Sequence, residues 1–119
     1  MFQNKMVIAV RKDVKMSPAK MAVQVGHAVL GCSNLVREFD ENLYWRYFVE
    51  GQPKIVCEVQ TLDSIYDLQE KCIAFNVIYY VVKDFGLTEL NPDTVTCIGI
   101  GPDEVEKINK ITKRLKLYK

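Results

Sequence analysis

A chain of 119 residues with 49% apolar residues, and 16 basic side chains against 15 acidic ones for a net charge of +1, is long enough to enclose one hydrophobic core and too short for two. No tract is polar or repetitive enough for disorder, and the early apolar run Met6 to Val10, broken by Arg11 and Lys12, is far shorter than a signal segment or membrane span. The expectation is a single domain over residues 1–119, in the cytoplasm and without a membrane partner.

KMVIAVR, residues 5–11, is a β-branched run that predicts a strand buried on both faces. After the turn KDVKM, Ser17 can accept from a free amide and Pro18 sits where a missing N–H costs nothing, so a helix is predicted from there to about Phe39. Its residues Met21, Ala22, Val23, Val25, Ala28, Val29 and Leu30 cover nearly the whole cylinder. Lys20, Gln24 and His27 break the pattern. Spaced i, i+4 and i+7, they form one narrow polar file, with Gly31 one turn further along.

ENLYWRYFVE, residues 41–50, predicts a second helix ended by Gly51 and Pro53, and KIVCEV, residues 54–59, a second strand. Residues 63–75 carry Ile65, Leu68, Cys72 and Phe75 on one face of an amphipathic helix. NVIYYVVKD, residues 76–84, is the third predicted strand, FGLTELNPDT an exposed loop, and VTCIGIG, residues 95–101, the fourth strand. Pro102 then predicts the start of a last helix, PDEVEKINKITKRL, with acids in its first turn and bases in its last. Near-continuous hydrophobic strands require cover on both faces, so the expected fold is α/β, a three-layer α/β/α sandwich around a mixed four-stranded sheet.

The charges are sorted along the chain. Residues 1–20 hold five bases against Asp13 alone, residues 107–119 hold six bases and no acid, and residues 38–70 hold eight acids against two bases. A positive face of this kind suits a polyanion such as nucleic acid, and solvated helix faces produce the same pattern. Cys32, Cys57, Cys72 and Cys97 are widely spaced among apolar neighbours with no C-x-x-C pair, which reads as small buried hydrophobes in a reducing compartment. A catalytic cysteine paired with His27, the single histidine, is the competing reading, and no cysteine has a recognisable nucleophile setting.

In folds of this class ligands gather outside strand ends. Arg11 and Asp13 follow the first strand, Lys20 lies in the opening turn of the next helix, and Asp84 ends the third strand before a loop that holds Thr88. Taken singly, Lys20 snorkels, Gln24 caps a neighbouring strand or loop, and His27 is a satisfied core histidine. Together with a strand-end aspartate they suit acyl chemistry: a cation for the oxyanion, a carboxylate or imidazole to orient water, and an amide to hold the substrate. No cofactor and no metal is required. Asp84-Phe85-Gly86 matches the magnesium-binding triplet of protein kinases, but the chain is too short for that fold and lacks its other signatures. IGIGP, residues 98–102, lacks the full phosphate-loop spacing and reads as close strand packing.

RKDVKM followed by SPAK and MAVQVGHA resembles the opening signature of the archaeal and eukaryotic type of peptidyl-tRNA hydrolase, written R-x-D-L-x-M and then G-K-x-A-A-Q-x-x-H-A. GQPKIV at 51–56, D-x-G-x-T at 84–88, T-x-x-G-I-G-P at 96–102 and LKLY at 115–118 agree in order, so the resemblance covers essentially the whole chain. It implies hydrolysis of the ester between a peptide and the terminal ribose of tRNA, on a compact α/β domain that commonly forms homodimers. It also implies that the catalytic lysine falls on Lys20, the aspartate on Asp84, and the family's threonines on Thr88 and Thr96. Gln24 and His27 match the helix motif and Arg11 and Asp13 the strand-end motif, as substrate-binding or supporting groups. Three departures stand out: Ala19 replaces a glycine, Phe85 replaces the alanine of D-A-G, and Asp93-Thr94 replaces Gly-Ser. Phe85 is expected either to narrow the pocket or to offer a stacking surface to the terminal adenine.

Two other classes compete. A non-catalytic tRNA- or protein-binding module on the same fold needs positive surface but no carboxylate beside the lysine. A hydrolase of small esters or amides would have no use for the basic termini.

Overall fold

The computed structural model describes residues 1–86 and 90–119. Strand β1 (Asn4–Arg11) shows why the chain needs cover on two sides: Val7 and Ala9 enter one apolar cluster, while Met6, Ile8 and Val10 enter another on the opposite face. Helix α1 (Pro18–Phe39) begins at its Ser17 cap, and α2 (Glu41–Val49) follows after Asp40 ends one helix and caps the next. Strand β2 (Lys54–Val59) pairs parallel with β1. Helix α3 (Leu62–Phe75) is capped by Thr61 and ends on Asn76 in the left-handed region.

Strand β3 (Tyr79–Lys83) pairs antiparallel with β4 (Val95–Glu104), which pairs antiparallel with β1. Helix α4 (Val105–Thr112) and the short β5 (Lys116–Leu117), antiparallel to β2, complete a sheet of order β3-β4-β1-β2-β5. Helices α1 and α2 contribute Ala28, Cys32 and Tyr47 to one cluster; α3 and α4 contribute Ile65, Leu68, Cys72, Ile108 and Ile111 to the other. The three-layer α/β/α arrangement expected from the sequence is present. No helix among the described residues is long and apolar enough to cross a membrane.

Two expectations need correction. The sheet has five strands rather than four, because Lys116 and Leu117 of the closing LKLY pair with Glu58 and Cys57. Two exposed residues carry no periodic signal to read. Pro102 does not open the last helix either: Asp103 and Glu104 continue the β1 ladder opposite Lys5 and Asn4, and the helix starts at Val105. The pairing slips between Lys5 and Val7, where Pro102 has no amide to give to the ladder.

This topology decides where a site can form. Since β4 is antiparallel to both neighbours, β1 and β3 run in the same direction, and Arg11 and Asp84 leave the sheet at the same edge. Helix α1 can lie close over β3 and β4 because two glycines sit at the approach. A Cβ on Gly99 would meet Cys32 Sγ at 2.6 Å and the Ala28 carbonyl oxygen at 3.1 Å, and a Cβ on Gly31 would overlap the ring of Tyr80. Gly99→Ala is therefore expected to destabilise the fold by about 1–3 kcal/mol through overpacking. Gly26→Ala, where the new methyl meets open space on the same helix, should stabilise it by about 1 kcal/mol. Urea denaturation of the two variants reads both signs.

Candidate active site

The opening of α1 fixes the first functional group. Ser17 Oγ accepts from the Lys20 amide at 3.1 Å, and Pro18 pre-sets the first helical turn. Lys20 therefore lies over the sheet edge, where its ammonium forms an ion pair with Asp84 Oδ1, the residue just past β3. The pair is withdrawn from water, with side-chain exposures of 11% for Lys20 and 5% for Asp84. One turn further along α1, the buried Gln24 donates from Nε2 to the same oxygen at 3.2 Å. The Gly86 amide donates to Oδ2 at 2.7 Å, closing a tight side-chain turn that its φ of +76° permits.

The backbone of Asp84 is held equally firmly. Its amide donates to the Thr94 carbonyl at 2.8 Å, and its carbonyl accepts from the Asp93 amide at 2.7 Å, which ties the backbone of Asp84 to the segment that leads into β4. The hydrogen bond from Lys20 is the main cause holding the Asp84 carboxyl below the usual 3.8. Burial opposes it, and the Gly86 amide, the Lys20 charge and the Gln24 amide add to it. Asp84 is thus an ionised acceptor and a weak base, beside an ammonium with three N–H donors. Such a pair can polarise a carbonyl oxygen and hold a water at its carbon. Among the described residues, no three of His, Cys, Asp and Glu gather closely enough to hold a metal ion.

The other residues singled out in the sequence divide. Arg11 and Asp13 are paired with each other through Nε to Oδ1 at 2.9 Å and Nη2 to Oδ2 at 2.8 Å, while Arg11 Nη1 donates to the Val95 carbonyl at 2.9 Å. They clamp the start of β4 opposite Lys83, next to Asp84 in the chain. Their mutual bond raises the pKa of Arg11 and lowers that of Asp13. Thr96 is fully buried in β4, its hydroxyl 3.9 Å from Cys97 Sγ, and that thiol donates to the Gln24 carbonyl at 3.5 Å. His27 is neither a core histidine nor a neighbour of the ion pair. It is exposed and lines a groove with Tyr80, Lys83 and Phe85. Thr88 lies outside the described residues. All four cysteines are unpaired and buried, and burial raises each thiol pKa, which removes the cysteine–histidine reading. The sequence reading quoted Gly86 within the Asp-x-Gly motif but gave it no role, although Asp-x-Gly at a strand end is a side-chain turn signal.

The sequence profile of the family described as "Peptidyl-tRNA hydrolase PTH2" matches residues 4–118. A Thermoplasma acidophilum protein named peptidyl-tRNA hydrolase is 42% identical over 113 residues, covering 95% of this chain and 97% of that one. A Sulfurisphaera tokodaii protein of the same name is 44% identical over 117 residues, with the same coverages of 95% and 97%. Among solved structures, a protein of unknown function from Agrobacterium tumefaciens superimposes over the full length of both chains with a TM-score of 0.65 at 14% identity, a likeness of fold alone.

The ion pair makes a testable stability claim. Removing one partner leaves a charge shielded from water without compensation, so Asp84→Asn and Lys20→Met should each cost about 3 kcal/mol at pH 7, and the double variant less than their sum. Because the folded pKa of Asp84 is lowered, its contribution is present above the unfolded value of 3.8 and disappears as pH falls through the lower folded one. The gap between the wild type and Asp84→Asn in chemical denaturation should therefore close below about pH 4.

Proposed function

The chain belongs to the PTH2 family of peptidyl-tRNA hydrolases, and from that membership we propose that it cleaves the ester joining a peptide to the terminal ribose of tRNA, with Lys20 and Asp84 at the reacting bond. The observation that carries the assignment of residues is the meeting of the two groups. They are remote in sequence, fall on the positions that the resemblance gives to the family's lysine and aspartate, and share one contact withdrawn from water at the sheet edge. A binding module has no need of a carboxylate that pins a lysine away from solvent.

In this reading the Lys20 ammonium, held by Asp84 through one N–H, gives another to the ester carbonyl oxygen and stabilises the negative charge that develops there. Oδ2 of Asp84 accepts from the Gly86 amide and keeps a lone pair for the attacking water. With its pKa lowered, the carboxylate orients that water more than it deprotonates it. The water oxygen bonds to the carbonyl carbon, and the bond from that carbon to the ribose oxygen breaks. One proton of the water ends on the ribose oxygen and the other passes to solvent, releasing tRNA with a free hydroxyl and the peptide as a carboxylate. Gln24 supports the carboxylate, Arg11 and Asp13 hold the strand end, and Thr96 is linked to Gln24 through the Cys97 thiol. Thr88, outside the described residues, has a role in this proposal only through the family resemblance, which assigns it to the site. The chemistry asks for no cofactor.

The exposed bases Lys12, Lys15, Lys113, Arg114, Lys116 and Lys119 supply positive surface for tRNA phosphates. A homodimer is part of the same proposal, supported by exposed Phe39, Phe48 and Val49 on and beside α2. So are a cytoplasmic setting, supported by four unpaired cysteines, and a single hydrolase domain over residues 1–119.

The test is release of labelled peptide from peptidyl-tRNA by the purified protein, with unblocked aminoacyl-tRNA as the control that should survive. Lys20→Ala and Asp84→Ala should each lower turnover by on the order of 10²-fold or more with the far-ultraviolet circular dichroism retained. Full activity in either variant refutes the assignment. KM for tRNA substrates should rise steeply with salt.

A further inference from the structure

Half of the polar file on α1 has no part in the ion pair. His27 stands seven residues beyond Lys20, about 10 Å along the axis at 1.5 Å per residue, and Gly31 one turn beyond that. Both open onto a surface groove of about 290 Å³, whose lining includes Tyr80, Lys83, Phe85 and Asn34. The groove reaches the reacting pair through Phe85, whose Cα lies about 3.8 Å from that of Asp84 across one peptide bond. Phe85 is 80% exposed, so it does not narrow the site; it lines the groove as a ring open to solvent. Tyr80 gives a second half-exposed ring, and it can lie against α1 only because Gly31 has no Cβ to obstruct it.

The lining identifies an occupant. Two aromatic rings, a lysine, an imidazole and a carboxamide meet here beside Leu30, Leu35 and Val82, and the described lining holds no carboxylate. The three other surface grooves described on this molecule each contain at least two acids: Glu58 and Asp67, Glu50 and Glu104, or Asp67 and Glu70. Rings that stack, a cation beside them and no opposing negative charge are the features by which proteins hold single-stranded nucleic acid. The volume, at the lower limit of small-ligand sites, is enough for one base. Connectivity supplies the last constraint. In a peptidyl-tRNA the scissile ester and the terminal base are attached to the same ribose, so a base must lie one furanose ring away from the reacting carbonyl, and Lys83 and Phe85, the chain neighbours of Asp84, both line the groove.

We propose that the groove of His27, Gly31, Tyr80 and Phe85 seats the terminal adenine of the substrate, with Phe85 as its stacking face and Lys83 near the adjoining phosphate. This inference rests on the hydrolase reading and adds a specificity-determining residue to it.

The experiment compares two probes, an N-blocked aminoacyl ester of a short CCA oligonucleotide and the same ester on an oligonucleotide whose terminal nucleoside lacks its base. The wild type should prefer the adenosine-ended probe in kcat/KM, and Phe85→Ala should reduce that preference by about tenfold, the size of one lost stacking contact. Phe85→Tyr, which keeps a ring, should retain it, and Gly31→Ala, which displaces Tyr80, should reduce it. A wild type that hydrolyses both probes equally, or a preference that Phe85→Ala leaves unchanged, overturns the groove assignment and leaves the hydrolase reading standing. A wild type that hydrolyses neither probe nor peptidyl-tRNA overturns both.

Discussion

An ammonium on α1 and a carboxylate past the end of β3 are drawn out of water against each other, and the rest of the architecture is arranged so that this contact can exist. Removing charges from water is costly, and the attraction between them offsets the cost only when other hydrogen bonds satisfy what remains. Here the Gln24 amide and the Gly86 N–H supply those bonds. The backbone bonds to Thr94 and Asp93 prevent the carboxylate from following the lysine outward. The result is an ion pair whose geometry is set before substrate arrives, which is the condition under which a dipole can stabilise a transition state without reorganising first.

The contact in turn depends on how near α1 comes to the sheet. Gly99 lets Ala28 and Cys32 settle on β4, and Gly31 lets the helix pass over Tyr80. The same closeness that lowers Lys20 onto Asp84 leaves a groove beside His27, so packing, the proposed chemistry and the proposed base site share one helix face. The parallel course of β1 and β3 brings Arg11 to the same edge, where its bond to the Val95 carbonyl steadies the start of the strand paired with β3.

Much of this was legible in the residues. The β1 run, the Ser17–Pro18 helix start and KIVCEV carry strong local signals, and each element stands where its pattern placed it. The i, i+4, i+7 spacing put Lys20 and Gln24 on one line, and both reach Asp84. Legibility ended where tertiary pairing overrides local preference. Pro102 reads as a helix start, yet Asp103 and Glu104 remain in the sheet because β1 lies beside them. Lys116 and Leu117 form a strand only because β2 offers an edge. His27 lies on the file of Lys20 and Gln24, and only the fold shows that the file leaves the ion pair and enters a groove.

The contact itself can be observed in solution without substrate, by following the side-chain carboxyl carbon of Asp84 by NMR as pH is lowered. If Lys20 holds that carboxylate as described, its midpoint lies below the ordinary 3.8 and moves upward in Lys20→Met. A midpoint at or above 3.8 that the lysine substitution does not move would mean that the two groups do not meet, and the account built on their meeting would fall.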